Sequence, residues 1–426
     1  MNDTSRLGQS AAFSAPAPAP PVDDSHRHAP MRFREFVAMV AALMALNALA
    51  IDVMLPAIQD IGAALAVADP NDRQAILPAY LIGFGLGQLL VGSVSDRFGR
   101  RPVLLAGLVF YVAAAILCAF APTFAALIVG RVVQGLASAA PRVVTAAIVR
   151  DCYGGRRMAS VLSLAMTIFM AVPVVAPSIG QAILLVAPWR AIFALLAVYG
   201  VAMILWTGLR LPETLAPERR RGIGPRALAR AFREVFTTRQ TLGYAVAAGA
   251  MFGAMFSFLV SSEQVLGELY GLGPLFPLAF AAMAGGMAVS SLVNASLVGR
   301  VGARRLSHAA VMLFTLIATI LVGLALAGVL TLWPLLVLLA GAMLLVGLIF
   351  SNFNALALEP MGHIAGTASS VFGSVTTLMA ATIGGLVGRA FDGTVVPLFT
   401  GWTLLGLGAL VAIAVTEKGR LFGRGT

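Results

Sequence analysis

The sequence predicts an all-α membrane protein, with about twelve transmembrane helices in two pseudo-symmetric six-helix bundles. Three observations predict it. The 426 residues are 59% hydrophobic and only 11% charged, far less charge than the surface of a soluble globule carries. Apolar runs of about twenty residues recur along the whole chain. The basic residues fall in alternate loops and in both tails.

Residues 1–34 come first, as a Pro/Ala/Ser-rich tail (FSAPAPAPPVDDSHRHAP) without an apolar h-region. It reads as a disordered segment and not as a cleaved signal peptide. His26 and His28 flank Arg27 there, and two histidines in such a tail make no metal site; Met31 offers an alternative start. Apolar runs at 36–62, 75–95, 102–121, 124–149, 158–186 and 190–209 make a first bundle (35–210). Residues 211–240 link it to a second bundle (241–418), with runs at 241–264, 274–298, 306–327, 331–356, 365–390 and 396–416, and residues 419–426 form a closing tail.

An even number of crossings puts both tails on one side. The loops carrying Arg97/Arg100/Arg101, Arg150/Arg156/Arg157, Arg210 to Arg239 and Arg300/Arg304/Arg305 fall on that side, which the positive-inside rule makes cytoplasmic. The opposite loops are nearly free of arginine, Arg73 and Arg190 being the exceptions. In the linker, Arg226, Arg230 and Arg233 recur at near-helical spacing with Leu228, Phe232 and Phe236 between them, the pattern of an amphipathic helix lying on the inner headgroups. The net charge of +11 would suit a nucleic-acid partner, but its placement in loops and tails points to anionic lipid headgroups. Cys118 and Cys152 have no reason to pair, and the scattered His and Cys make a metal site improbable. No Walker A sequence is present, so ATP is not the direct energy source and no cofactor is expected.

Asp52 is the foremost candidate residue. It lies inside an apolar run, LNALAIDVMLPA, where a carboxylate costs roughly 3 kcal/mol on insertion scales. It persists there if protonated, paired or facing a wet cavity, and low dielectric favours the neutral acid. The bland alternative is a structural partner for an intramembrane arginine. Arg131 and, eleven residues along the same helix face, Arg142 supply the counter-charges in span four. Arg142 follows Pro141, which frees a backbone carbonyl. Asp52, Asn47, Gln134, Phe252 and Phe256 are taken to line a substrate cavity between the bundles. Glu263 and Glu268 lie near the outer end of span seven, where water reaches them. Asn294, Asn352 and Asn354 read as glue between helices. Arg389 is expected to pair with Asp392, and Ser/Thr side chains in EPMGHIAGTASS to cap span eleven.

The loop GSVSDRFGRRP (Gly92 to Pro102) between spans two and three resembles the signature G-x-x-x-D-R-x-G-R-R of the major facilitator superfamily. A degenerate copy, ASLVGRVGARR, follows span eight: Arg300 falls on Arg97 and Gly302 on Gly99, while Gly299 replaces Asp96 and Ala295 replaces Gly92. RVVQG (Arg131 to Gly135) resembles the family's fourth-span motif, which the resemblance assigns to proton movement. AVPVVAPSIGQ resembles its antiporter motif; Pro177 and Gly180 match it, Ala176 is a small substitute and Gln181 departs. IDVMLPAIQDIG, AAIVRD and VLGELYGLGP resemble the bicyclomycin/chloramphenicol-resistance group, with Met54 where relatives often have Tyr.

The resemblance implies a proton-coupled exporter of small amphipathic drugs or toxic compounds in a bacterial inner membrane, functional as a monomer and with the proton as its only coupling partner. It implies that Gly92, Asp96, Arg97, Gly99, Arg100 and Arg101 form a gate, with Asp96 meeting the N-terminus of span eleven and Gly92 permitting the approach. Two rivals stand beside it. One is a proton-coupled importer of a small metabolite, sharing fold and loop. The other is a non-transporting sensor or intramembrane enzyme, which would need clustered His, Asp or Glu on facing helices.

Overall fold

A computed structural model describes residues 31–220 and 225–423; the expectation of a disordered tail falls almost wholly outside them. Helix follows helix, with no strand among the described residues. Eleven stretches are long and apolar enough to cross a membrane. One of them, Leu332–Arg389 with 58 residues, holds two helices joined by a 3-10 turn at Glu359–Ile364, so the crossings number twelve among the described residues. The chain is a multi-pass membrane protein.

In the first bundle α1 (Phe33–Asp52) breaks before Pro56, whose missing N–H cannot continue the ladder, and resumes as α2 (Ile58–Ala64). Then come α3 (Ile76–Phe98), α4 (Arg100–Ala119), α5 (Phe124–Cys152), α6 (Gly155–Leu184) and α7 (Arg190–Arg210). Thr123 starts α5 by accepting a hydrogen bond from the Ala126 N–H at 3.2 Å. Glu35 of α1 and Arg210 of α7 pair at 2.8 Å. After α8 (Pro225–Thr237), the second bundle comprises α9 (Arg239–Ser262), α10 (Phe276–Val301), α11 (Ala303–Leu326), α12 (Leu332–Leu358), α13 (Ala365–Arg389) and α14 (Val396–Thr416).

The repeat is visible in the backbone. Gly99 (φ 103°, ψ 161°) ends α3 and opens α4, and Gly302 (φ 87°, ψ 147°) does the same between α10 and α11. Both conformations favour glycine, which explains its survival in the degenerate copy.

The bundles meet chiefly along α3 with α13 and α6 with α10. The α3–α13 seam runs the length of the molecule, from Gln74 beside Gly388 to Gly92 beside Ser370. Midway, Ser374 Oγ donates to the Gly85 carbonyl at 2.7 Å and Gln88 Nε2 to Thr377 Oγ1 at 3.2 Å. Such bonds replace the water that hydrocarbon withholds. The tight approach is at Gly85, where a Cβ would come within 2.9 Å of Leu378; Gly92 has ordinary clearance of 3.5 Å from Ser370. The expectation that Gly92 permits the approach is thus corrected.

The two faces differ. On the face bearing the basic loops, the bundles leave a cleft of about 390 Å³ between Asp96 and Arg150 on one side and Ile364–Thr367 on the other. On the opposite face they are held shut: Arg389 pairs with Asp72 at 2.7 Å, and Asn71 Nδ2 donates to the Phe391 carbonyl at 2.9 Å. Asp392 instead accepts from Thr394, so the expected Arg389–Asp392 pair is not formed.

α8 is the helix that the linker pattern predicts, but its buried edge faces protein. Val235 and Phe232 pack on Met361, Ala368 and Val371, and Glu234 pairs with His363 at 2.7 Å. Arg226 and Leu228 lie outside the described side chains.

Candidate functional site

α5 carries a polar stripe, Arg131, Gln134, Ser138 and Arg142, at intervals of three and four residues that keep one helix face. Gly135 makes the stripe reachable, because a Cβ there would run into the Tyr80 carbonyl of α3. The close approach brings the Tyr80 ring under Arg131, with the guanidinium 4.5 Å from its centroid.

Arg131 is fully buried and its donors are engaged. Nη1 donates to Gln134 Oε1 at 2.7 Å, Nη2 to the Ala50 carbonyl at 3.1 Å and Nε to the Ile76 carbonyl at 3.4 Å. One cation thereby ties α5 to the end of α1 and the start of α3 without any carboxylate. Gln134 is equally buried, gives its oxygen to Arg131 and keeps an unpartnered Nε2. It positions the arginine and has no surface on open space, which corrects its place among the cavity-lining residues.

Asp52 is 5% exposed and does not face lipid. It forms no hydrogen bond or ion pair with any described residue; neither Arg131 nor Arg142 is its partner. Arg142 is half-buried and likewise unpaired among the described residues. Asn47, also half-buried, accepts from Tyr80 OH at 2.8 Å and stands by Ser138 Oγ at 3.5 Å. The interior of the first bundle thus holds two ionisable groups without a partner among the described residues, Asp52 and Arg142, with a hydrogen-bonded Asn47–Tyr80–Ser138 group.

α6 packs against the break that follows Asp52. Ala176, Pro177 and Gly180 are buried and Gln181 half-buried. A Cβ on Gly180 would collide with the Val53 carbonyl and come within 2.9 Å of Pro56. The antiporter-like residues therefore touch the segment next to the acid, a proximity that spacing alone did not reveal.

In the second bundle Phe252 is half-buried and packs on Phe350, centroids 5.4 Å apart, and Phe350 packs on Phe372 at 6.3 Å. Phe256 is 1% exposed and fills the space at Gly384 of α13, so it is a packing residue and not a cavity wall.

The gate-like loop centres on Arg100. It donates to Asp151 at 3.0 Å, to Ser95 at 2.7 Å and to Asp96 at 2.6 Å. Arg101 donates to the Gly208 carbonyl at 2.7 Å, while Arg97 is exposed beside Phe98. Asp96 lines the same cleft as the start of α13 without bonding to it, so the expected contact with that helix end is not made. No side chain caps α13, whose N-cap residue is Ile364.

Several functional groups escaped the sequence reading. Glu213 of the linker accepts from the backbone N–H of Arg100 at 2.9 Å and of Arg101 at 3.3 Å, capping α4 from outside. Asp151 and Tyr80 were equally unmarked in role. Arg73 did carry a signal, as one of two arginines on the arginine-poor side.

With this geometry in place, similarity to known proteins is informative. The profile described as Major Facilitator Superfamily matches residues 37–385. The chain is 32% identical over 360 residues to an uncharacterized MFS-type transporter, YdgK, of Bacillus subtilis, covering 83% of this chain and 87% of that one. It is 31% identical over 385 residues to a bicyclomycin resistance protein homolog of Haemophilus influenzae, covering 89% and 94%. Over 179 residues it is 36% identical to the multidrug resistance protein MdtL of Escherichia coli, covering 42% and 46%. The human organic anion transporter MFSD10 superposes with a TM-score of 0.62 at 19% identity, covering 90% and 100%, a likeness of fold alone.

Proposed function

Because the chain belongs to the major facilitator superfamily, and so is a membrane transporter and not an enzyme, we propose that it is a proton-coupled exporter. Its cargo is small, amphipathic and drug-like, it works by alternating access in a bacterial inner membrane, and both termini lie in the cytoplasm. The proton is the coupling ion, no cofactor takes part, and the monomer is the working unit among lipids whose anionic headgroups hold the basic face.

The observation that carries this reading is the unpaired Asp52. A carboxylate that has lost water and gained no partner is costly, and a proton removes the cost. Asp52 therefore exchanges its proton whenever the surroundings change polarity. The names of the Haemophilus and Escherichia relatives support a drug-like cargo.

In the cycle, Asp52 takes a proton from the outer side. The bundles then open at the basic face, along the cleft beside Asp96 and α13. Cargo entering beside Asn47 and Phe252 raises local polarity and favours loss of the proton. The Gly180–Val53 contact transmits the state of the α1 break to α6, and the carrier rocks back to release cargo outside.

The test is cargo-dependent proton release in inverted membrane vesicles from a pump-deleted host, with a panel of antibiotics as candidate cargo. Release that follows cargo in the natural protein and disappears in Asp52→Asn supports the assignment. Release that survives the substitution overturns it.

A further inference from the structure

The face opposite the basic loops is closed by a polar seal, and the seal contains an acid that the cycle above does not use. From the first bundle come Gln59 of α2 and Asn71, Arg73 and Gln74 in and beside the 3-10 turn Asp72–Ala75 that leads into α3. From the second come Glu263, Gln264 and Glu268, in a π-helical turn, Glu263–Leu269, that continues α9. Turns of this kind are uncommon and often mark functional positions.

The pairing within the seal is uneven. Arg73 pairs with Glu268, and Gln59 Nε2 donates to the same carboxylate at 2.6 Å. Gln264 Nε2 donates to Asn71 Oδ1 at 3.0 Å. Glu263 is 8% exposed, and its Oε2 is buried with no partner. In the same seal Arg73 Nε, both amide atoms of Gln74 and Gln264 Oε1 are also buried without partners. The charged groups facing Glu263 are Glu268, Arg73 and Asp60, with the Gln59 amide beside them. α10 also packs on this turn, but its one charge, Arg300, lies at its far end.

We propose that Glu263 is a second proton-binding site, built into the outer seal, and that its protonation closes that seal. Ionised, it leaves a carboxylate oxygen out of water and sets a further negative charge beside Glu268, which already pairs with Arg73. Protonated, it leaves the Arg73–Glu268 pair balanced. Opening the seal returns the carboxyl to water, where ionisation carries no such penalty. The closed form therefore binds the proton more tightly, and by linkage the proton stabilises closure; the effect is full at low external pH and is lost as pH rises. The inference deepens the proton-coupled reading: the incoming proton meets Glu263 first and Asp52 second.

The test measures the seal directly and needs no cargo. Spin labels at the exposed Ala68 and Leu278, in a full-length chain with Cys118 and Cys152 replaced, report the separation of the bundles at this face by pulsed electron resonance. The natural protein in lipid nanodiscs is expected to shift from a short to a longer separation as pH rises from mildly acidic to mildly alkaline. Glu263→Gln is expected to hold the short separation throughout, and Glu263→Asp to keep the response. A Glu263→Gln protein that follows pH as the natural one does would falsify the proposal, as would a separation that ignores pH in the natural protein. Failure of the vesicle assay at Asp52 leaves this readout standing, so the two readings fail separately.

Discussion

Arg131 and Asp52 are both ionisable, both buried and both in the first bundle, yet their surroundings are opposite. Arg131 has three acceptors and an aromatic face. Asp52 has no partner among the described residues. A buried charge with its bonds satisfied in one arrangement is architecture, since moving it breaks that arrangement. A buried charge without partners is unstable as an ion, and it is the one whose protonation responds when the structure moves. The pair shows that burial alone does not identify a coupling residue; the bonding around it does.

Five substitutions break or sharpen this contrast. Arg131→Met should have the largest effect on folding, about 3 kcal/mol or more, because it strands the Gln134 amide and the Ala50 carbonyl and unties three helices. Thermal unfolding of the purified protein in detergent would read this as a large fall in Tm. Retention of the natural Tm would mean that the arginine is not a staple.

Gly180→Val comes next, at about 1–3 kcal/mol, since a side chain there must displace the Val53 carbonyl. Transport should fall with stability, and a variant of natural stability and natural transport would remove α6 from the mechanism.

The two repeats give a smaller, graded comparison. Gly99→Ala forces a left-handed backbone and collides with Glu213, whereas Gly302→Ala meets open space and bears only the backbone strain of about 1 kcal/mol. Parallel Tm measurements should place Gly99→Ala clearly below Gly302→Ala; equal values would deny the Glu213 contact its role.

At the far end of the series, Asp52→Asn should leave Tm unchanged or slightly raised, because it replaces an unpartnered buried acid by a neutral group of the same shape. A marked drop in Tm would show that Asp52 is held by partners in the membrane, contrary to the contrast with Arg131.

Much of the architecture was legible because hydropathy and loop charge are local properties. Runs of apolar residues located the crossings, and Gly302 could be laid on Gly99 because a left-handed turn restricts residue type wherever it recurs. The misreadings share one cause. Arg389 was matched to its neighbour Asp392, but its partner is Asp72, 317 residues away in the chain. Glu263 was assigned to water by its place near a helix end, yet the first bundle covers it. Gly92 was credited with a close approach that occurs two turns earlier, at Gly85. Helix face alone assigns Gln134 and Phe256 to a cavity, but Gln134 is buried against Arg131 of its own helix and Phe256 fills the space at Gly384 of α13.

The sequence by itself determined that the chain crosses a membrane many times, that its basic loops share one face, that it is built as a repeat, and that an acid stands inside the first apolar run. These follow from residue types within a few turns of each other, because lipid requires an apolar span of fixed length and excludes charge from it. Only the tertiary structure decided which buried charges are bonded and which are left alone. It set Asp52 beside the α6 contact and Glu263 beneath a seal made by the other bundle. The reason is that hydrogen bonds act over about 3 Å, and the groups that satisfy or abandon a buried charge come from helices that only folding brings together.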